Sequence, residues 1–80
     1  MPDLLEPLGY AFIVRAILDH FVDHTPGSMV EEKEYALVWH YRNANPEQGK
    51  IRSIELFNEL NEHSKSLDLQ VLMGNKIVEV

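Results

Sequence analysis

Thr25-Pro26-Gly27-Ser28-Met29-Val30-Glu31-Glu32-Lys33 leads almost directly into the run Tyr35 to Arg42, and most of the chemistry available to this chain lies there. A carboxylate accepts hydrogen bonds from sugar hydroxyls, and a lysine ammonium holds a phosphoryl oxygen as a point charge. Glu31 and Lys33 offer one of each. The simpler reading of Glu31-Glu32-Lys33-Glu34 is a solvated acidic hairpin, whose extra carboxylates weaken a phosphate site. His40 and Arg42 share strand parity. Arginine presents a planar fork of donors to carboxylate or phosphate, and histidine is readily retuned near neutral pH. Their structural alternative is a satisfied histidine beside an edge arginine paired to a carboxylate. Trp39 and Tyr41 can stack on a sugar, but their parity with Leu37 points to the core.

Other clusters carry less. His20 and His24 are four apart on one expected helix face and could share a metal. No glutamate follows His20 as in the zinc-protease motif, and no third ligand is evident. Gly74-Asn75-Lys76 precedes a strand, so it is not a phosphate-binding glycine loop. Glu79 shares parity with Ile77 and can reach the face of His40 if the strand register allows. No serine–histidine–acid arrangement and no strand-end aspartate pair is present.

The elements that must position these groups follow from periodicity. Leu5, Leu8, Phe12, Ala16, Ile17 and Phe21 recur at steps near three and four, which predicts an amphipathic helix from about Leu4 to His24. Pro26-Gly27 ends it. A short extended piece follows at Ser28 to Glu31, with Glu32 to Glu34 either a turn or a continuing hairpin. Tyr35 to Arg42 is the clearest strand. Tyr35, Leu37, Trp39 and Tyr41 face the helices, and Ala36, Val38, His40 and Arg42 face the other way. Asn45 caps a second helix with Pro46 at its first position and Glu47 in its first turn. That helix is expected to reach about Glu62, with Ile51, Ile54, Phe57 and Leu60 buried and Leu56 close by, before polar His63 to Ser66. Leu67–Met73 and Ile77–Val80 read as strands around a Gly74-Asn75 turn. The order αββαββ implies an α+β fold of two layers: a four-stranded antiparallel sheet with two helices on one face.

Eighty residues make one small domain or a piece of one, with a modest core. The net charge of -6, with lysines scattered at 33, 50, 65 and 76, supplies no basic stripe for a phosphate backbone, so nucleic acid is not an expected partner. One or two placed cations still suffice for a small phosphorylated ligand. No apolar run approaches the roughly 20 residues of a membrane helix, and Asp3 and Glu6 sit where a secretory signal wants basic residues. Zero cysteines exclude a disulfide framework and a thiolate zinc site, and make a cytoplasmic location the expectation.

Pro26-Gly27-Ser28-Met29-Val30-Glu31-Glu32-Lys33, then after three residues Leu37-Val38-Trp39-His40-Tyr41-Arg42-Asn43-Ala44-Asn45-Pro46-Glu47, resembles the cap region of trehalose-6-phosphate phosphatases, whose pattern is roughly P-G-S-x-V-E-x-K-x-x-S-L-x-W-H-Y-R-x-x-D-P-E. Gly74-Asn75-Lys76-Ile77-Val78-Glu79-Val80 resembles that family's later G-x-K-x-x-E-V stretch. The resemblance implies a haloacid dehalogenase-like phosphatase that hydrolyses trehalose 6-phosphate with magnesium. In that family a separate core carries the aspartates, and an αββαββ cap closes over it and recognises the sugar. It also implies that Glu31, Lys33, His40, Arg42 and Glu79 contact substrate. Ala36 stands where the family commonly has Ser, and Asn45 where it often has Asp. The first departure removes a hydroxyl; the second keeps the capping function.

The core's nucleophile motif, lysine and metal-binding loop are absent from these residues. Residues 1–80 are therefore expected to be a single cap-like domain with a truncated C-terminal boundary, inactive in isolation. It would have no catalytic residue, metal ligand or cofactor of its own, magnesium being held in the parent core. Its expected partners are the missing phosphatase core, trehalose 6-phosphate and a candidate synthase domain, without nucleic acid or membrane. The alternative function is a non-catalytic regulatory or subunit-assembly domain within a trehalose-phosphate synthase. A free-standing small ligand-binding protein is a third reading.

Overall fold

The computed structural model describes residues 7–80, with side chains from residue 11 onward. Leu4, Leu5 and the side chain of Leu8, assigned above to the first helix and its stripe, lie outside the described residues. The elements are α1 (Pro7–Asp23), β1 (Met29–Lys33), β2 (Ala36–His40), α2 (Pro46–Leu67), β3 (Leu72–Gly74) and β4 (Ile77–Glu79). The four strands form one antiparallel sheet in the order β1-β2-β4-β3, and both helices pack on one face of it, as the αββαββ pattern requires.

The core lies between the layers. Val14, Leu18 and Phe21 from α1 and Leu56 and Leu60 from α2 meet Trp39, Tyr41, Val78 and Val80. Trp39 is fully buried, with the Phe21 ring edge-on at 6.3 Å and the Tyr41 ring stacked at 5.1 Å. These aromatics are packing groups, as their parity with Leu37 implied.

Each helix buries only part of the stripe its apolar residues suggest: Phe21 on α1, and Leu60 with neighbouring Leu56 on α2. On α1, Phe12 and Ala16 are exposed, while Val14 and Leu18 are buried. On α2, Ile51 and Ile54 are exposed; the buried positions are Gly49, Ser53, Leu56, Leu60 and Leu67. The reason is close approach. A Cβ on Gly49 would lie 2.8 Å from Cδ2 of Tyr41, so glycine lets the helix sit against that ring. Ser53 satisfies its hydroxyl internally by donating to the Lys50 carbonyl at 2.7 Å.

The N-terminus of α2 is as expected: Asn45 Oδ1 accepts from the Gln48 N–H at 3.0 Å and Pro46 follows it. Its C-terminus is not. The helix continues through His63–Ser66 to Leu67, whose side chain is buried, while Ser64 and Ser66 satisfy their hydroxyls by donating to carbonyls three residues back. Asp68 then ends it in the left-handed conformation (φ 54°), its N–H bonded to the Ser64 carbonyl. The strand expected from Leu67 consequently begins only at Leu72. The β3–β4 turn is Asn75-Lys76, with φ 63° at Lys76, while Gly74 pairs with Ile77. Tyr35, expected on the packed face, occupies the two-residue β1–β2 turn and is 91% exposed.

Candidate functional site

Pairing fixes which side chains share the face opposite the helices. Glu31 on β1 pairs with Val38 on β2, which pairs with Glu79 on β4. In the neighbouring rows, Met29 pairs with His40 and His40 with Ile77, and Lys33 pairs with Ala36. Directly paired residues point the same way. Glu31, Lys33, His40 and Glu79 therefore stand on one open face, as a hydrogen-bonded pair beside an ion pair. His40 Nε2 is 2.8 Å from Glu31 Oε1, and Lys33 Nζ is 3.6 Å from Glu79 Oε1. The carboxylates of Glu31 and Glu79 rise from Cα atoms two strand spacings apart, about 10 Å.

Between them lies Val38, fully buried although it belongs to the open face. The two carboxylates thus flank an apolar side chain with no accessible surface of its own. Ala36, in register with Lys33, keeps the path across β2 low enough for that lysine to reach Glu79 on the far strand.

Arg42 lies just beyond β2. Its start point is fixed because Tyr41 is buried, its N–H donates to the Lys76 carbonyl at 3.0 Å, and its own carbonyl accepts from Ala44 N–H at 3.1 Å. Arg42 itself is exposed. With Gly27, Met29, Glu31, His40 and Asn43 it lines an open depression of about 300 Å³ at one end of the face. Gly27 has φ 92°, and a Cβ there would collide with the backbone of Asn43, so the 26–28 turn and the 43–44 loop touch backbone to backbone. A larger depression, about 430 Å³, lies at the opposite end of the β1–β2 hairpin beside α1. It is lined by Lys33 as well as by Arg15, which Asp19 and Glu32 hold.

All five residues singled out from the sequence are accordingly brought to one surface: four on the face and Arg42 at its rim. Sequence reasoning placed Val38 on this face by alternation with His40 but missed its burial, and it missed Met29 and Asn43 as lining. His20 and His24 stack at 4.2 Å, with His24 Nδ1 2.8 Å from the His20 carbonyl oxygen. Among the described residues no group of three or more His, Asp or Glu side chains is placed to hold a metal ion, and no helix is long and apolar enough to cross a membrane. An arrangement of two carboxylates and two cations on one surface can bind a polyhydroxyl ligand bearing an anionic group.

A family model described as trehalose-phosphatase matches residues 4–80. Trehalose-phosphatase of Zygosaccharomyces rouxii is 43% identical over 67 residues, which cover 84% of this chain and 7% of that protein. Trehalose-phosphatase of Saccharomyces cerevisiae is 39% identical over 80 residues, covering 98% and 9%. Alpha,alpha-trehalose-phosphate synthase (UDP-forming) B of Dictyostelium discoideum is 42% identical over 67 residues, covering 84% and 8%. Among solved structures, trehalose-6-phosphate phosphatase of Aspergillus fumigatus superposes with a TM-score of 0.86 at 35% identity, covering 92% of this chain and 28% of that one. The C-terminal domain of trehalose-6-phosphate phosphatase of C. albicans gives 0.84 at 35%, covering 88% and 24%. The chain spans less than a tenth of the length of these curated relatives.

Proposed function

This chain belongs to the trehalose-phosphatase family, and on that premise we propose that it is the substrate-recognition cap of a trehalose-6-phosphate phosphatase. Glu31, Lys33, Arg42 and Glu79 are the groups that meet the ligand, and His40 belongs to the same recognition surface. The catalytic aspartates and the magnesium belong to a core domain outside these residues. The observation that carries the reading is the shared open face: four ionisable groups from three strands, over buried Val38, on the side of the sheet the helices leave uncovered. The two carboxylates accept from sugar hydroxyls. Lys33 and Arg42 are the cations available to a phosphoryl group or to further hydroxyls. Such a half-site supplies no nucleophile. Its contribution is to orient the ligand and, on closing against the core, to exclude water around the transferred group. The absence of cysteine supports a cytoplasmic setting.

The test is made in the full-length protein that carries this region. Lys33→Ala and Arg42→Ala are each expected to lower kcat/KM for phosphate release from trehalose 6-phosphate by about tenfold or more, the scale of one lost charge-assisted contact. Unchanged KM and turnover in both variants refutes the assignment. The synthase named among the relatives motivates a second reading, a regulatory or assembly domain within a synthase. In that case the flanking sequence lacks the core aspartates and both variants are silent in activity but alter subunit association.

A further inference from the structure

The two side-chain pairs on the open face are not equivalent. Lys33 and Glu79 approach to 3.6 Å, a charge contact longer than a hydrogen bond. His40 Nε2 and Glu31 Oε1 are at 2.8 Å, a formed hydrogen bond. A carboxylate only accepts, so Nε2 carries the proton in this bond. The residues are diagonal neighbours across β1 and β2: Glu31 pairs with Val38, and His40 with Met29. His40 has the less exposed side chain, 34% against 48% for Glu31. The imidazole is thus the fixed partner and the longer glutamate the one that is held. Its bond uses Oε1; among the described residues no hydrogen bond reaches Oε2.

Resting on the recognition role proposed for Glu31, we infer that His40 is a positioning residue, acting on the ligand through Glu31 and not by touching it. The histidine restricts the glutamate rotamers before the ligand arrives and leaves Oε2 as the acceptor for a sugar hydroxyl. Ordering the contact in advance lowers the cost of binding. Glu79, on the other side of Val38, makes only the longer charge contact with Lys33.

The experiment is a double-mutant cycle in the full-length protein, reading KM and kcat for phosphate release from trehalose 6-phosphate. Glu31→Ala and His40→Ala are each expected to raise KM about tenfold with little change in kcat, and the double variant to be no worse than Glu31→Ala alone. His40→Gln, whose amide N–H can replace Nε2–H, recovers most of the loss. If His40→Ala does not fold, His40→Asn, whose shorter amide falls short of Glu31, takes its place in the cycle. Losses that multiply to about a hundredfold in the double variant overturn the inference, because His40 then contacts the ligand independently of Glu31. A silent Glu31→Ala overturns the recognition reading itself and this inference with it.

Discussion

Gly27→Ala tests how the loops beside Arg42 are held. Gly27 has φ 92°, and an ideal Cβ would collide with the Asn43 carbonyl oxygen, 2.7 Å from the carbonyl carbon and 3.0 Å from Ala44 Cα. The obstacles are backbone atoms, which cannot swing aside as a side chain would. Two costs add. Placing an L-residue in the left-handed region costs roughly 1–2 kcal/mol. Forcing packed groups apart costs about 1–3 kcal/mol more. Together these give about 2–5 kcal/mol, against roughly 4–12 kcal/mol of total stability for a domain of this length. For a domain of this size each kcal/mol moves Tm by about 4–8 °C, so the expected fall is roughly 8–40 °C. Thermal unfolding of the 80-residue chain can be followed by circular dichroism and by the fluorescence of its single tryptophan, Trp39. A fall below about 4 °C would refute the reasoning, since it requires the 26–28 turn to leave the 43–44 loop at almost no cost.

The capping bond of α2 is worth about 1 kcal/mol, so Asn45→Ala should lower Tm by about 4–8 °C, and Asn45→Asp should restore it. The inward stripe of α2 is checked by a contrast in urea unfolding. Leu56→Ala, at a fully buried position, is expected to cost about 2–5 kcal/mol. Ile54→Lys, on the exposed side, should stay within about 0.5 kcal/mol; equal losses would mean that both stripes are covered.

What the sequence revealed depended on whether a signal was local. The Asn45-Pro46 helix start is written in adjacent residues, and the two faces of β2 follow from alternation. Hence His40 could be placed opposite Trp39 before any strand pairing was known. Pairing is not local: that Glu79 stands beside Val38 depends on β4 docking against β2, which no residue near Glu79 announces. Leu56 and Leu60 of α2 are buried as expected, but Gly49 and Ser53 take the inward places expected for Ile51 and Ile54, because they are small although only weakly apolar. Burial there is decided by how closely Tyr41 lets the backbone approach, a property of the partner surface. Tyr35 continues the alternation of β2 but is taken by the turn, because a hairpin must spend residues on reversing the chain.

The open face also bears on how fast a ligand arrives. Glu31 and Glu79 are matched there by Lys33 and Arg42, so with His40 neutral the face carries no net charge. The whole excess of -6 therefore belongs to the rest of the chain. An anionic ligand approaching from afar meets the field of an acidic chain. Only within about a Debye length, about 8 Å at physiological ionic strength, does it feel the individual cations. Added salt screens the distant repulsion more than the near contacts, so association of such a ligand with this chain speeds up as ionic strength rises, opposite to the behaviour of a binding surface that steers its ligand in by attraction.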